Sequence, residues 1–164
     1  MAALKIAKTY VAKPKDLAPS WHVFDAAQQP LGRMVVEISR ILQGKHQPAY
    51  TAHINTGEYV VVINANNVVV TGNKHTKKEY HFHSGYPGGL RTLTLDQLLQ
   101  RDPVRVIQLA VRGMLPDTTM GRDMLRRLKV YPGPDHPHEA QIKGSPGDRP
   151  IWGRENNSKE EKSK

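Results

Sequence analysis

Basic side chains concentrated in residues 110–133 are the groups of this sequence best suited to chemistry, and that chemistry is anion binding. Arg112, Arg122 and Lys129 belong to a run of guanidinium and ammonium groups that only Asp117 and Asp123 oppose within the stretch. Such groups keep spare donors for phosphate oxygens. A basic helix face can also be merely solvated, so this stretch alone does not separate an anion-binding surface from an ordinary one.

Histidine pairs and a serine are the other candidates for ligating or reactive groups. His81 and His83 could share a zinc ion, but they have no cysteine and no clear third ligand nearby. The same holds for His136 and His138.

Ser84 has no G-x-S-x-G turn around it, and no acid is placed to orient a base. We therefore expect no metal site, no cofactor, no small-molecule substrate and no enzymatic activity. Scattered carboxylates are better explained as ion-pair partners of neighbouring Arg or Lys, namely Glu37, Glu58 and Glu79.

Glycines in residues 84–91 raise the question of a nucleotide-phosphate loop. The stretch matches neither G-x-x-x-x-G-K-[ST] nor G-x-G-x-x-G, and no helix opens directly from it, as such phosphate sites require. We favour a loop whose glycines let the backbone approach a bulky partner, with Arg91 supplying charge. An enzyme that uses nucleotides or processes RNA stays an alternative, which turnover or saturable nucleotide binding would reveal.

Two helices must position the basic stretch. Apolar residues recur at helical spacing from Val106 to Met114, and Pro116 ends that pattern because its ring removes a backbone donor. Thr118 or Thr119 then caps a second helix. We predict that this helix has an inward stripe of Met124, Leu125 and Leu128 and a cationic side of Arg122, Arg126 and Lys129.

Capping signals predict two further helices just upstream. Thr94 and Gln97 form a capping-box pattern that opens a short helix. Asp102 caps the next helix and Pro103 starts it, since proline suits the first helical position. We expect both helices to be scaffold for the basic stretch.

A strand followed at once by a helix indicates the first half of a β-α-β crossover nearer the N-terminus. Residues 21–26 alternate as a short strand, and residues 31–45 carry an apolar face at helical spacing, with Gly44 as the stop. The β-branched run 59–64 is typical of a central strand. Residues 68–71 predict one more short strand.

The segment 74–83 combines basic and aromatic side chains. If it is extended, alternate side chains project to opposite faces. Imidazole and lysine donors beside aromatic rings favour contact with RNA phosphates, sugars or bases. An exposed polar strand without a ligand is the alternative. One face would hold His75, Lys77, Glu79, His81 and His83, and the other Tyr80 and Phe82.

Charge is unevenly distributed along the 164 residues. Lys and Arg number 24 against 15 Asp and Glu, and the net charge of +9 with a pI near 9.9 points to a polyanionic partner. All of the excess lies before residue 133. We predict a basic N-terminal arm at 1–20, a single domain at 21–132 and a polar, Pro/Gly-rich C-terminal tail at 133–164.

Several features bear on the compartment. Cysteine is absent, and the longest apolar run, 59–63, is far too short to cross a membrane. The first residues lack the uninterrupted apolar segment of a secretory signal. We expect a cytoplasmic protein without a membrane partner. A DNA-binding regulator would share the basic composition, but neither helix-turn-helix spacing nor a dimerising heptad is visible.

Five motifs together resemble the bacterial family of large-subunit ribosomal protein thirteen, over about residues 21–141. They do not extend to the arm or to the end of the tail. The motifs are D-A-x-x-x-x-L-G-R at 25–33, G-K-H at 44–46, N-T-G-E-Y at 55–59, V-T-G-N-K at 70–74, and V-R-G-M-L-P at 111–116 with G-R-x-M-x-R-x-L-K-V-Y at 121–131.

This resemblance implies a three-layer α/β/α fold around a mostly parallel four-stranded sheet. The basic N-terminal arm and an irregular C-terminal tail, both predicted from composition, flank that fold. The resemblance also implies a non-catalytic component of the cytoplasmic ribosome that binds 23S-type large-subunit ribosomal RNA (rRNA) early in assembly and adjoins neighbouring ribosomal proteins. Cations would bind phosphates of several RNA helices and release counterions. The residues expected to bind RNA are Arg33, Lys45, His46, Lys74, His75, Lys77, Lys78, His81, His83, Arg91, Arg112, Arg122, Arg126, Arg127 and Lys129.

Overall fold

The buried β-branched run forms strand β2 (Tyr59–Ile63) of a parallel sheet in the computed structural model, which describes residues 11–13 and 17–144. Strand β1 (Trp21–Asp25) pairs with one edge of β2. A third strand, Leu128–Val130, pairs with the other edge and is β5 in chain order. Both pairings are parallel, so each connection between paired strands must cross back through helices. The predicted crossover from β1 to β2 is confirmed.

The resemblance implies a four-stranded sheet, but the parallel sheet of the described residues has three strands. Residues 68–71, predicted as a short strand, make only an isolated parallel bridge between Val69 and Pro30. A short 3-10 turn, Ala65–Asn67, follows β2, and Asn64 enters it with a left-handed φ of 57°. This turn redirects the chain before it can continue along the sheet.

The helices follow the predicted capping signals closely. α1 (Leu31–Gln43) ends at Gly44, whose φ of 74° is favourable for glycine. The other helices of the described residues are α2 (Lys74–Lys77), α3 (Leu95–Arg101), α4 (Pro103–Arg112), α5 (Thr119–Arg126) and α6 (Glu139–Lys143). Thr94 forms the complete capping box of α3, and the Asp102 carboxylate accepts from the first turn of α4. None of these helices, within residues 11–13 and 17–144, has the length and apolarity that a membrane crossing needs.

The hydrophobic core lies between one face of the sheet and helices α1 and α4. Alternation along β2 directs Val60 and Val62 into it, and Phe24 of β1 joins them. α1 contacts both β2 and α4, so the two helices cover this face together. The fully buried side chains that they contribute are Met34, Val35, Ile38, Leu42, Val106, Ile107 and Val111.

The second helix of the basic stretch is shorter than predicted. Thr118 is its cap, because its hydroxyl accepts a hydrogen bond from the N–H of Gly121 at 3.2 Å. α5 ends at Arg126, and the following residues extend to pair with β2 as strand β5. Pairing with a buried strand here outweighs the helical spacing of the sequence. Lys129 therefore lies on a strand, and the predicted cationic helix side is divided between two elements.

Residues 74–83 are not one extended segment, which corrects a second expectation. α2 occupies the first four of them, and β3 (Glu79–His83) then pairs antiparallel with β4 (Leu90–Thr94). Within β3 the predicted alternation holds, since Tyr80 and Phe82 pack against the core while the other side chains are exposed. The glycine-rich loop is thus the tip of a hairpin that the sequence did not indicate.

The region predicted as an irregular tail contains helix α6, which corrects that expectation for residues 139–143. His138 precedes this helix, and its ring lies 5.1 Å from that of Trp21 on β1. The helix itself contacts β1. Residues 1–10, 14–16 and 145–164, which hold most of the predicted arm and tail, lie outside the described residues.

Gly121 provides a test of how α5 is held. A Cβ at this position would lie 1.9 Å from the carbonyl oxygen of Pro116. We expect Gly121→Ala to lower the free energy of unfolding by about 1–3 kcal/mol, because the turn must shift to accept the methyl group. Gly32→Ala is the matched control, since no atom lies within 4 Å of its Cβ and alanine favours helix α1 by up to about 1 kcal/mol. Urea unfolding measures both; equal stability of Gly121→Ala and the parent would contradict the close packing.

Candidate nucleic-acid interface

Lys and Arg side chains of residues 21–132 form the candidate interface, and within the described part of the chain few of them pair with a carboxylate. This region contains fourteen Lys and Arg against eight Asp and Glu. Only Arg126 among those cations forms an ion pair within the described chain, at 3.0 Å from Asp123. All the residues predicted to bind RNA are exposed except Arg127 and Lys129, which are half-buried. Most of these groups therefore present free donors to an anion.

The junction between α4 and α5 brings two arginines together. Arg112 is the last residue of α4, and Arg122 lies in the first half of α5. Both line one surface cavity of about 640 Å³, together with Pro116 and Asp117. The Pro116 turn and the close approach of Gly121 to it set the distance between the two helices. Sequence spacing did not indicate this cavity, because ten residues separate the arginines.

Lys45, in the loop after α1, lies next to the same junction. It lines a neighbouring cavity of about 830 Å³ with residues 114–116, two of which also line the first cavity. The side-chain amide of Gln43 donates to the carbonyl oxygen of Met114 at 3.1 Å and fastens the end of α1 to the end of α4. A lysine and two arginines from distant parts of the sequence thus surround one turn. We call Lys45, Arg112 and Arg122 the junction cations.

A second basic region lies on α2 and the β3–β4 hairpin, which contact each other and α3. Its histidines make only exposed contacts with carboxylates, at 3.9 Å from His75 to Asp96 and at 4.0 Å from His81 to Glu79. The hairpin register puts Arg91 opposite Phe82, so Arg91 does not share a face with the strand's histidines. The members of this region are Lys74, His75, Lys77, Lys78, His81, His83 and Arg91.

Arg33 and Arg127 stand apart from both regions. Arg33 is exposed on the first turn of α1 and lines a shallow cavity of about 530 Å³ there. Arg127 is engaged with the protein itself, because its guanidinium donates to the carbonyl oxygen of Gly57 and lies 5.4 Å from the ring centroid of Tyr59. It holds the segment before β2 against the start of β5. We infer a structural role for Arg127 in addition to any contact with RNA.

The sheet face opposite the core is aromatic and basic. Trp21 and Tyr59, which are partners in the strand register, stack at 4.4 Å with an interplanar angle of 9°. His138 packs on Trp21, and Lys129 projects from β5 toward the same side. Burial of the ring lowers the pKa of His138, and the positive charges of Lys129 and His136 lower it further.

A buried carboxylate organises the loop that carries Lys45 and His46. Glu58 directly precedes β2, and only 6% of its side chain is exposed. Its oxygens accept hydrogen bonds from Nε2 of His22 and from the side-chain amide of Gln47. Nε2 of His46 lies 3.1 Å from the same oxygen that His22 contacts. His46, predicted to bind RNA, is therefore directed at Glu58, although part of its ring stays exposed.

This cluster was not predicted from the sequence, and the prediction that Glu58 pairs with a neighbouring Arg or Lys was wrong. Glu58 contacts two histidines and a glutamine instead of a neighbouring Arg or Lys. One signal was available: strand alternation puts His22 on the same side of β1 as the buried Phe24, where an imidazole needs a polar partner. The identity of that partner could not be read from the sequence, since 36 residues separate His22 from Glu58.

The protonation of Glu58 follows from its neighbours. Burial alone would raise the pKa of this carboxyl group. The hydrogen bond from His22, the positive charges of His22 and His46, and the hydrogen bond from Gln47 together outweigh burial and hold the pKa below its usual 4.5. Glu58 is thus ionised in the folded protein at neutral pH.

Glu58→Gln tests this account through the pH dependence of stability. A carboxyl group whose pKa is lowered by folding stabilises the fold above the pKa of the unfolded chain and loses that effect as pH falls through the folded value. We expect the variant to be less stable than the parent by about 1–3 kcal/mol at pH 7, with the difference shrinking below about pH 4.5. Glu79→Gln, whose only partner is exposed, should stay within about 0.5 kcal/mol at both pH values. A difference independent of pH would refute the role of the charge.

Comparison with known proteins gives the family of this chain. The family described as "Ribosomal protein L13" matches residues 19–137. A protein of Pseudomonas paraeruginosa named "Large ribosomal subunit protein uL13" is 55% identical over 134 residues, covering 82% of this chain and 94% of that protein. Proteins of the same name from Thermotoga petrophila and Natranaerobius thermophilus are 52% and 50% identical and cover 83% and 81% of this chain, and 91% and 93% of their own lengths. The chain therefore belongs to the ribosomal protein L13 family.

Proposed function

We propose that this chain is a structural, non-catalytic constituent of the large ribosomal subunit that binds 23S-type rRNA and stabilises its tertiary fold early in assembly. The observation that carries the proposal is the charge pattern of residues 21–132: fourteen Lys and Arg, of which Arg126 alone is ion-paired within the described chain. Family membership supplies the biological context, since the relatives are named as proteins of the large ribosomal subunit.

The mechanism is electrostatic and geometric. Each cation that meets an RNA phosphate releases condensed counterions, which makes binding favourable and dependent on salt. The junction cations and the hairpin region lie on different elements of one small body, so they can contact different RNA segments. When the cations of the protein bind both RNA segments, they offset the mutual repulsion of the phosphates on those segments. A rigid protein with two basic regions is thereby suited to fixing an RNA tertiary contact.

Exposed apolar and aromatic side chains at the hairpin tip are suited to contacts with groups other than phosphates. Tyr86 and Leu90 at the hairpin tip are 76% and 61% exposed, more than any other large apolar side chain of the described residues. They are suited to a nucleobase or to the surface of a neighbouring ribosomal protein. This assignment places the chain on the cytoplasmic ribosome, in contact with RNA and protein and with no membrane.

The layers that cover the sheet and the division of the chain into segments are part of the same proposal. Helices α1 and α4 cover one face of the sheet, and α6 contacts β1. We propose that α6 belongs to a third layer over the aromatic face, as the three-layer fold of the family resemblance implies. We also propose that 1–20 acts as a basic arm, 21–132 as the RNA-binding domain and 133–164 as a C-terminal segment whose helix α6 packs on that domain.

Removing two of the junction cations tests the function. We expect Arg112→Ala/Arg122→Ala to flatten the slope of log affinity against log salt by about two units on transcribed large-subunit rRNA, one for each lost phosphate contact. Arg40→Ala/Arg101→Ala is the matched control, because it removes two exposed arginines outside the predicted RNA-binding set and should change the slope little. Filter binding at several salt concentrations gives both slopes. An equal loss in the two variants, or tighter binding of duplex DNA than of rRNA by the parent, would overturn the proposal.

A further inference from the structure

Three potential metal ligands from separate parts of the chain converge beside β2. They are a ring nitrogen of His22, a ring nitrogen of His46 and a carboxylate oxygen of Glu58, and all lie within 4.8 Å of one another. His22 and Glu58 are largely buried, with side-chain exposures of 9% and 6%, whereas His46 is 28% exposed. The site is therefore shielded on one side and open to solvent on the other.

We propose that His22, His46 and Glu58 bind a zinc ion, with a water molecule in the fourth position. Two imidazole nitrogens and one carboxylate oxygen are a recognised zinc donor set, and zinc with three protein ligands keeps one position open. Imidazole also selects against Mg²⁺ and Ca²⁺, which take oxygen ligands. The chain has no cysteine, so histidine and carboxylate are its available strong ligands for zinc.

The geometry is close to what zinc requires. Zinc–ligand bonds of about 2.0–2.2 Å in a tetrahedron place donor atoms about 3.3 Å apart. Nε2 of His46 lies 3.1 Å from the Glu58 oxygen, which agrees with that spacing. His22 contacts the same carboxylate oxygen through a direct hydrogen bond, so these two donor atoms must move apart to admit the ion, and no pair of donor atoms in the set exceeds 4.8 Å. Gln47 binds the other carboxylate oxygen and would orient Glu58 as a supporting ligand does.

A zinc ion here would fasten three segments to one another. His22 belongs to β1, Glu58 leads into β2, and His46 lies in the loop after α1. An ion that binds these residues only in the folded state stabilises the fold by mass action. Lys45 is adjacent in sequence to His46, so the ion would also fix the loop that brings Lys45 to the α4–α5 junction. Zinc binding does not require RNA, because all three ligands belong to this chain.

Zinc titration of the full-length chain, without a histidine tag and first freed of metal with a chelator, tests the proposal. Competition with a chromogenic chelator gives affinity and stoichiometry, and Co²⁺ substitution reports coordination by visible absorption. We expect one tight Zn²⁺ per chain with an intense four-coordinate Co²⁺ spectrum. His46→Gln should weaken binding at least about tenfold, since losing even a supporting residue costs that much.

His53→Gln is the matched control, because His53 is an exposed histidine of the same loop outside the ligand set. It should bind Zn²⁺ as the parent does. Glu58→Gln supplies a second variant, in which Zn²⁺ should no longer raise the melting temperature as it does in the parent and in His53→Gln. Parent-like affinity in His46→Gln, or no tight site in the parent, would refute zinc binding and leave the cluster a hydrogen-bonded one.

Discussion

Burial of strand β2 against α1 and α4 is the interaction on which the rest of this structure depends. Val60 and Val62 are fully buried there, and the two helices enclose them with aliphatic side chains. A chain with net charge +9 repels itself, and this apolar contact is the term that offsets the repulsion. Because the core occupies the centre of the sheet and its covering helices, the cations lie outside it, on helix surfaces, in loops, in the hairpin and, at Lys129, on the sheet face opposite the core.

The same strand also determines where polar groups are buried. Glu58 and Gly57 immediately precede β2, and both lie where the chain passes from the surface into the core. Gly57 approaches α1 so closely that a Cβ would lie 1.8 Å from the carbonyl oxygen of Leu42. Glu58 cannot reach bulk water from that position, so histidine and glutamine partners take the place of solvent. The cluster is thus a consequence of packing β2 tightly against α1.

Elements with strong local signals were predictable from the sequence. Gly44 ended α1, and the pattern from Thr94 to Gln97 capped α3, because both depend on residues within one turn. Strand β5 was not predictable, since its three residues continue the helical spacing of α5 and only pairing with β2 makes them extended. The hairpin was missed for a similar reason: Leu90–Thr94 has no strong alternation, and its pairing with β3 is a tertiary event.

In the candidate interface, too, local features could be predicted from the sequence, whereas features that depend on tertiary contacts could not. Residue type alone identified exposed cations, because Lys and Arg are rarely buried without partners. Which of them act together depends on turns: Pro116 and Gly121 place Arg112 beside Arg122, and the contact of Gln43 with Met114 adds Lys45. Arg126, by contrast, is held by Asp123 one turn away, a pairing that helical spacing does indicate. A polyanion that spans the junction would therefore meet a preformed set of donors, and its binding would relieve a repulsion that the folded protein otherwise retains.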